Sequence, residues 1–257
     1  MQYKYKHKIK KLFLFPFLRK ICSIFKLLLL PVGSIIMLYN FVHIKECPCI
    51  MKVLLVNGSP HKNGSTAEAL KEVEATLNAE GIETSVVWLG TEAISGCIAC
   101  GYCSRNGKCV KNDIVNEFVQ RAKNADGFVF GTPVHYAAAS GAITSFLDRV
   151  FYSASKDTFR HKPAAVITVA RRGGTTAAYD QLIKYPGIAE MPIISSHYWN
   201  MVHAAVPEEA KQDKEGMQCM RILGKNMAYF LKCIEAGKKA GVAAPAPEQR
   251  EVTNFIR

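Results

Sequence analysis

From Met51 onward the sequence alternates short apolar runs with stretches whose apolar residues recur every three or four positions. Short runs suit buried strands, and the three-to-four spacing marks one face of a helix. Strand and helix taking turns along a chain build a parallel sheet wrapped by helices. The expected strands are Met51–Asn57, Ile82–Leu89, Gly127–Gly131, Lys162–Ala170 and Met191–Ser196. A first helix is expected over Ser65–Glu80, with Leu70, Val73 and Leu77 on one face and Gly81 as its stop. A second is expected over Asp113–Lys123, with Asp113 as cap and Ile114, Phe118 and Ala122 in register. Further helices are expected over Gly141–Tyr152, from Thr175 to Lys184, and over Met217–Ala236. Five strand–helix units with right-handed crossovers form a three-layer α/β sandwich. Its common solution is a five-stranded parallel sheet in order 2-1-3-4-5, with a ligand crevice between strands one and three.

The 257 residues suffice for one such domain plus extra segments. A net charge of +12 would point to nucleic acid, but residues 1–50 hold nine Lys/Arg against one acid, Glu46, leaving only +4 for the remainder. A folded part that is only mildly basic lacks the electrostatic footprint of a nucleic-acid binder. Nine cysteines are present, four of them between positions 97 and 109. In a mid-sized chain this suits a reducing, cytoplasmic compartment, where thiol clusters hold metal or do redox work, better than a secreted disulfide framework.

Residues 1–50 read as a separate basic and apolar extension. Leu27–Val42 is almost uncharged, but its sixteen residues, interrupted by Pro31 and Gly33, fall short of the ~20 that a spanning helix needs. A membrane anchor there would push the following domain outside the cell. A secretory signal would lack a small-residue cleavage site near Cys47-Pro48-Cys49. Met51 directly precedes a buried strand, so translation starting at Met51 is the expectation, with the anchor and the signal as alternatives and a membrane role disfavoured. The expected domain covers residues 51–237, and the Ala- and Pro-rich tail over 238–257 reads as loosely attached.

Strand one runs into Gly58-Ser59-Pro60-His61-Lys62-Asn63-Gly64-Ser65-Thr66. Glycines, hydroxyls and free N–H groups at a helix N-terminus suit a phosphate dianion, although Ser and Thr also serve as ordinary helix caps. Two familiar phosphate loops are excluded. A P-loop places four residues between its glycines and a Lys before Ser/Thr; here five residues separate Gly58 from Gly64, and no Lys precedes Ser65. The dinucleotide fingerprint G-x-G-x-x-G is absent from this turn. What remains is a mononucleotide phosphate held by hydroxyls and backbone, as FMN would be.

The run from Val56 to Thr66 resembles the first loop of the NADPH-dependent FMN reductase and iron-sulfur flavoprotein group of the flavodoxin-like superfamily. Three further stretches agree: Gly131–Tyr136 after strand three, Ala170–Thr175 after strand four, and Asn200–His203 with Asp213–Gly216 before the last helix. The resemblance spans roughly Met51 to Gly237 and implies a flavodoxin-like sandwich that binds FMN. It places Ser59, His61, Asn63, Ser65 and Thr66 around the phosphate. It sets Thr132, Pro133, Val134, His135 and Tyr136 along the isoalloxazine ring, with Arg171, Gly173 and Gly174 approaching from the other side. The plainer readings are a surface histidine at His135 and a packing tyrosine at Tyr136. His61 is a departure, since many relatives carry Arg there. Arg is a permanent bidentate phosphate ligand and His is not, which makes that contact weaker or pH-dependent.

Cys97, Cys100, Cys103 and Cys109, in the loop over residues 96–110, have the spacing C-x2-C-x2-C-x5-C. Zinc ribbons usually separate two C-x2-C knuckles by a dozen or more residues. In the ferredoxin run the fourth cysteine follows after three residues and is trailed by Pro. The compact pattern here is similar to the iron-sulfur flavoprotein signature, which implies a [4Fe–4S] cluster on these four cysteines. Redox-active or free thiols, and zinc, stay open as alternatives. Gly96, Gly101 and Gly107 give the loop freedom to wrap a centre, while Cys219 and Cys233 read as buried thiols on the last helix.

No catalytic side chain is expected, because a flavin carries its own redox chemistry. The resemblance implies an oxidoreductase in which NAD(P)H reduces FMN and electrons pass to an acceptor. The alternatives are a carrier exchanging single electrons with a ferredoxin-like partner, and a thiol or zinc module with a vestigial flavin site. It also implies a homo-oligomer, a dimer or tetramer, whose flavin site a neighbour completes.

Overall fold

The computed structural model describes residues 51–249, 251–253 and 255. The expected N-terminal extension, residues 1–50, lies outside the described residues. Strand β1 (Lys52–Asn57) occupies the middle of the sheet, paired in parallel with β2 (Glu83–Trp88) on one side and β3 (Gly127–His135) on the other. β3 pairs in parallel with β5 (Ala164–Ala170), and β5 with β6 (Met201–His203). The order β2-β1-β3-β5-β6 is the expected 2-1-3-4-5 arrangement, with a two-residue strand β4 (Ala138–Ala139) added against the end of β3.

Two-residue periodicity divides the core. Leu54 and Val56 of β1 face a cluster with Phe118, Phe128, Phe130, Phe146 and Phe159, whereas Val53 and Leu55 face Leu70, Val73, Met220 and Leu223. Successive strand side chains point to opposite faces, so a run that is apolar throughout buries both. Helices α3 (Ile114–Lys123), α4 (Gly141–Ser153) and α5 (Thr175–Leu182) cover the first face. Helices α1 (Ser65–Ala79) and α8 (Lys214–Lys239) cover the second. Short helices α2 (Tyr102–Asn106), α6 (Lys184–Ile188) and α7 (Pro207–Ala210) lie in connections. Among the described residues, no helix is long and apolar enough to cross a membrane.

Two elements depart from the sequence expectation. The third strand was expected to stop at Gly131, but it continues to His135 and turns back through a two-residue hairpin into β4. Tyr136 and Ala137 form that turn with φ of 50° and 60°, the positive angles of a type I′ turn built here without glycine. The fifth strand was expected over Met191–Ser196. There only Ile193 bridges to Ala164, and regular pairing resumes at Met201 opposite Thr168. Their partners on β5 are four positions apart while Ile193 and Met201 are eight apart, so four extra residues loop out of the sheet edge. Buried Asn200 closes that loop: its Oδ1 accepts the Ser196 N–H at 3.0 Å and its Nδ2 donates to the Ile194 carbonyl at 3.3 Å.

Candidate functional site

At the carboxyl ends of β1, β3 and β5 lies a cavity of about 810 Å³, within the usual range for a cofactor site. Its polar end is the loop after β1. Buried Asn57 shapes it, accepting the Ser59 N–H at 3.0 Å and donating to the Lys62 carbonyl at 3.3 Å. The Ser59 Oγ accepts the His61 N–H at 3.1 Å. Gly58 is tied to the Gly131 carbonyl at 2.8 Å, and its own carbonyl accepts from Ser140 Oγ, at the start of α4, at 2.9 Å. Helix α1 begins with Gly64 as its cap, and no side chain caps it. Its first-turn N–H groups, the positive end of the helix dipole, therefore remain available to an anion. The opposite end of the cavity is apolar, with Pro133, Val134, Val169, Ala170, Ala204, Val206 and Pro207 on its wall.

Of the residues expected to hold a flavin, Ser59, His61, Asn63, Ser65, Thr66, Pro133, Val134 and Arg171 line this cavity together. Thr132, His135, Tyr136, Gly173 and Gly174 do not. Thr132 is fully buried; its Oγ1 accepts the Ser140 N–H at 3.0 Å and donates to the Pro133 carbonyl at 2.8 Å, which holds the strand where the hairpin departs. The hairpin carries His135 and Tyr136 past the cavity, and the Tyr136 side chain is fully exposed. Gly174, at φ +96°, packs under the hairpin: a Cβ there would lie 2.6 Å from Ala137 Cα and 2.9 Å from Val134 Cγ1. It supports the Val134 wall without touching the cavity.

Trp88 and the stretch Ala204–Pro207 complete the wall, and sequence reasoning missed both. Trp88 ends β2, and its Nε1 donates to the Ser59 carbonyl at 2.9 Å while the Lys62 ammonium sits 5.6 Å from its ring centroid. An indole at the end of the strand next to β1 was the available signal. Ala204–Pro207 carries no motif and reaches the cavity only because β6 pairs with β5.

A second, small cavity of about 20 Å³ lies under the cysteine loop. Cys97, Cys100, Cys103 and Cys109 all border it, together with Arg149, Tyr152 and Ser153 from the end of α4. All four thiols are free. The α2 turn sits between Gly101 and Gly107, both left-handed at φ 66° and 65°, which lets the chain reverse at each end of Cys103's helix. Asn116 of α3 pins the far end of the loop: its Oδ1 accepts the Cys109 N–H at 2.9 Å, and its Nδ2 donates to the Cys109 and Lys111 carbonyls at 3.0 and 3.1 Å. Cys103 Sγ donates to the Tyr152 carbonyl at 3.8 Å.

Beneath the loop Arg149 is 1 % exposed. Its guanidinium meets both Asp113 oxygens at 2.6 and 2.9 Å, and Asp113 also caps α3 through the Val115 N–H. Burial alone would draw the Arg149 proton affinity down; the bonds to Asp113 and Cys109 outweigh it and leave the guanidinium held more firmly in its charged form. Among the described residues, no three His, Cys, Asp or Glu side chains stand close enough to share a single metal ion. Four unpaired thiols around one cavity nevertheless form a soft donor set suited to a polynuclear centre. Cys97 and Cys100 are exposed on the solvent side of the loop. On the last helix, Cys219 is buried as expected, but Cys233 is exposed because its position on α8 turns away from the sheet.

The family model for NADPH-dependent FMN reductase matches residues 51–206. An iron-sulfur flavoprotein of Methanocaldococcus jannaschii is 30% identical over 192 residues, covering 72% of this chain and 100% of the relative. An iron-sulfur flavoprotein of Methanosarcina thermophila is 24% identical over 197 residues, covering 73% of this chain and 99% of the relative. Among solved structures, RosB with bound 8-demethyl-8-formylriboflavin-5′-phosphate superposes with a TM-score of 0.56 at 15% identity, over 80% of this chain and 94% of RosB. A flavone reductase superposes with a TM-score of 0.56 at 18% identity, over 72% of this chain and 64% of that one. These two likenesses concern the fold alone. With its flavodoxin-like sheet and a family match over residues 51–206, the chain belongs to the NADPH-dependent FMN reductase family.

Proposed function

We propose that this protein is an FMN-dependent oxidoreductase that passes electrons from NAD(P)H to an acceptor and carries a [4Fe–4S] cluster on Cys97, Cys100, Cys103 and Cys109. The observation that carries the flavin part is the 810 Å³ cavity, polar at the uncapped N-terminus of α1 and apolar at the ends of β3 and β5. That division matches a phosphorylated, ring-bearing cofactor. Ser65, Thr66 and the first-turn N–H groups of α1 would hold the phosphate, with Ser59, His61 and Asn63 around it. Pro133, Val134 and Ala170 would bound the ring and exclude water from that face, with Arg171 beside it. FMN, when bound, supplies two-electron uptake from a hydride donor and one-electron delivery.

The cluster part is supported by four free thiols bordering one cavity and by two relatives named iron-sulfur flavoproteins. A cluster there would supply one-electron transfer. A second reading, a carrier exchanging single electrons with a ferredoxin-like partner, is favoured by the exposure of Cys97 and Cys100, which puts the loop within reach of another protein. The proposal has the protein cytoplasmic and homo-oligomeric, as a dimer or tetramer.

The full chain, purified without oxygen, should show flavin bands with a broad iron–sulfur shoulder. Rapid bleaching on adding NADPH supports the oxidoreductase, and bleaching only by a reduced ferredoxin supports the carrier. Cys100→Ser should remove the shoulder and keep the flavin; a shoulder that persists rejects the cluster assignment. A colourless protein that binds no added FMN rejects the flavin reading.

A further inference from the structure

A fully buried guanidinium is tolerated only when its donors are answered, and Arg149 divides its donors among three tasks. The bidentate pair with Asp113 accounts for its charge. Nη1 also donates to the Ser95 carbonyl at 3.4 Å and Nη2 to the Lys111 carbonyl at 3.3 Å, so one side chain ties together the two ends of the cysteine loop. The Nε edge faces one sulfur: Nε and Nη2 both lie 3.3 Å from Cys109 Sγ. A neutral thiol is a weak acceptor, whereas an anionic sulfur takes charge-assisted bonds from a rigid fork.

A second observation lies four residues further along α4. The Ser153 Oγ is buried without a hydrogen-bond partner, and Ser153 borders the same small cavity as the four thiols. Buried polar atoms without a partner are uncommon in native interiors. The wall that α4 presents to the cysteine loop therefore offers an orphan hydroxyl beside a paired N–H fork, on a cavity whose other edge is thiol sulfur.

We propose that Arg149 is a positioning residue for the iron–sulfur centre, holding Cys109 as a ligand through two N–H···S bonds and raising the reduction potential of the cluster. The inference rests on the reading of Cys97, Cys100, Cys103 and Cys109 as cluster ligands. Reduction adds one electron to the centre and neither makes nor breaks a bond. Positive charge and hydrogen bonds at a ligand sulfur stabilise the more negative, reduced centre more than the oxidised one. Removing them therefore moves the midpoint downward.

The test is a dithionite potentiometric titration of the full chain, followed by cluster EPR, for wild type, Arg149→Met and Arg149→Lys. Iron, acid-labile sulfide and flavin are counted in each. Arg149→Met is expected to keep its flavin and to shift the cluster midpoint negative, or to lose the cluster outright. Arg149→Lys keeps a cation for Asp113 but cannot aim two donors at one sulfur, so a smaller shift of the same sign is expected, with the flavin midpoint unmoved. If Arg149→Met does not fold, the Lys variant decides. A wild type that holds a cluster while the Lys variant keeps the wild-type midpoint overturns the role of Arg149 alone. A wild type without acid-labile sulfide after anaerobic reconstitution overturns the cluster reading and this assignment with it.

Discussion

Gly174 carries more structural demand than its place beside the cavity implies. It combines φ of +96° with a contact that puts any Cβ 2.6 Å from the Ala137 backbone. Alanine there adds the left-handed penalty to an overlap that no side-chain rotation can relieve, together about 2–4 kcal/mol. Gly174→Ala is therefore expected to lower the denaturant midpoint by that equivalent and, by displacing Val134, to weaken FMN binding. A substitution that left both stability and flavin affinity unchanged would show that the hairpin does not rest on this residue. His61 and Asn63 line the cavity because a loop between a strand and a helix leaves its polar side chains near the ligand end of a parallel sheet, whereas Arg171 was expected there on the family resemblance alone. The outward turn of Tyr136 was not legible from the chain, since whether a loop side chain faces in or out depends on the sign of two φ angles.

At the scale of elements, α1 and α8 are held by contact and by charge. Gly224 of α8 sits so close to α1 that an added Cβ would meet Thr76 Cβ at 2.8 Å, whereas a Cβ at Gly237 of the same helix would meet nothing nearer than 3.8 Å. Alanine is the better helix former by up to about 1 kcal/mol. Gly237→Ala should therefore stabilise the protein by a few tenths to ~1 kcal/mol, and Gly224→Ala should destabilise it by about 1–2 kcal/mol as the helices are forced apart. Equilibrium denaturation of the pair reads both signs, and equal shifts would refute the packing account.

Across the pair of helices, Arg221 meets Glu72 at 2.7 Å and Lys232 meets Glu80 at 2.6 Å; a further charge, Glu68 on α1, meets Lys71 of the same helix at 2.6 Å and Lys211, just past α7, at 3.4 Å. Burial alone would raise its pKa, but the two ammonium groups outweigh burial and hold it below the ordinary 4.5. A carboxylate depressed in this way contributes stability above its unfolded pKa and loses it as the pH falls through the lower folded value. Glu68→Gln should thus lower stability at neutral pH by under about 1 kcal/mol, the value of pairs whose lysines stay solvated. The gap to wild type should close below pH of about 4. A gap that stayed constant down to acid pH would mean that the pair contributes nothing through charge.

For the whole molecule, the described members of both core clusters lie between Val53 and Leu231, and β1 begins at Lys52. A chain starting at Met51 is expected to fold and to bind FMN. An insoluble or flavin-free product would show that residues 1–50 take part in the fold. The two cavities sit at different stations of one helix. The start of α4 is bonded to the Gly58 loop through Ser140, while Arg149, Tyr152 and Ser153 near its end line the thiol cavity.

The sequence by itself determined the order of the layers, the central place of β1 and the glycine- and hydroxyl-rich loop before α1. Each of these is written in a few neighbouring residues: a wholly apolar run, a three-to-four spacing, a glycine and hydroxyl turn. The tertiary structure decided the rest. Arg149 finds its partners 36, 40 and 54 positions away, at Asp113, Cys109 and Ser95, and no local pattern announces that a cation on an apolar helix face will be buried beneath four thiols. The interrupted edge strand, the hairpin that removes Tyr136 from the cavity, and the arrival of Ala204–Pro207 on its wall share that origin. They follow from which strands lie side by side, and that is settled only when crossovers bring distant segments into one sheet.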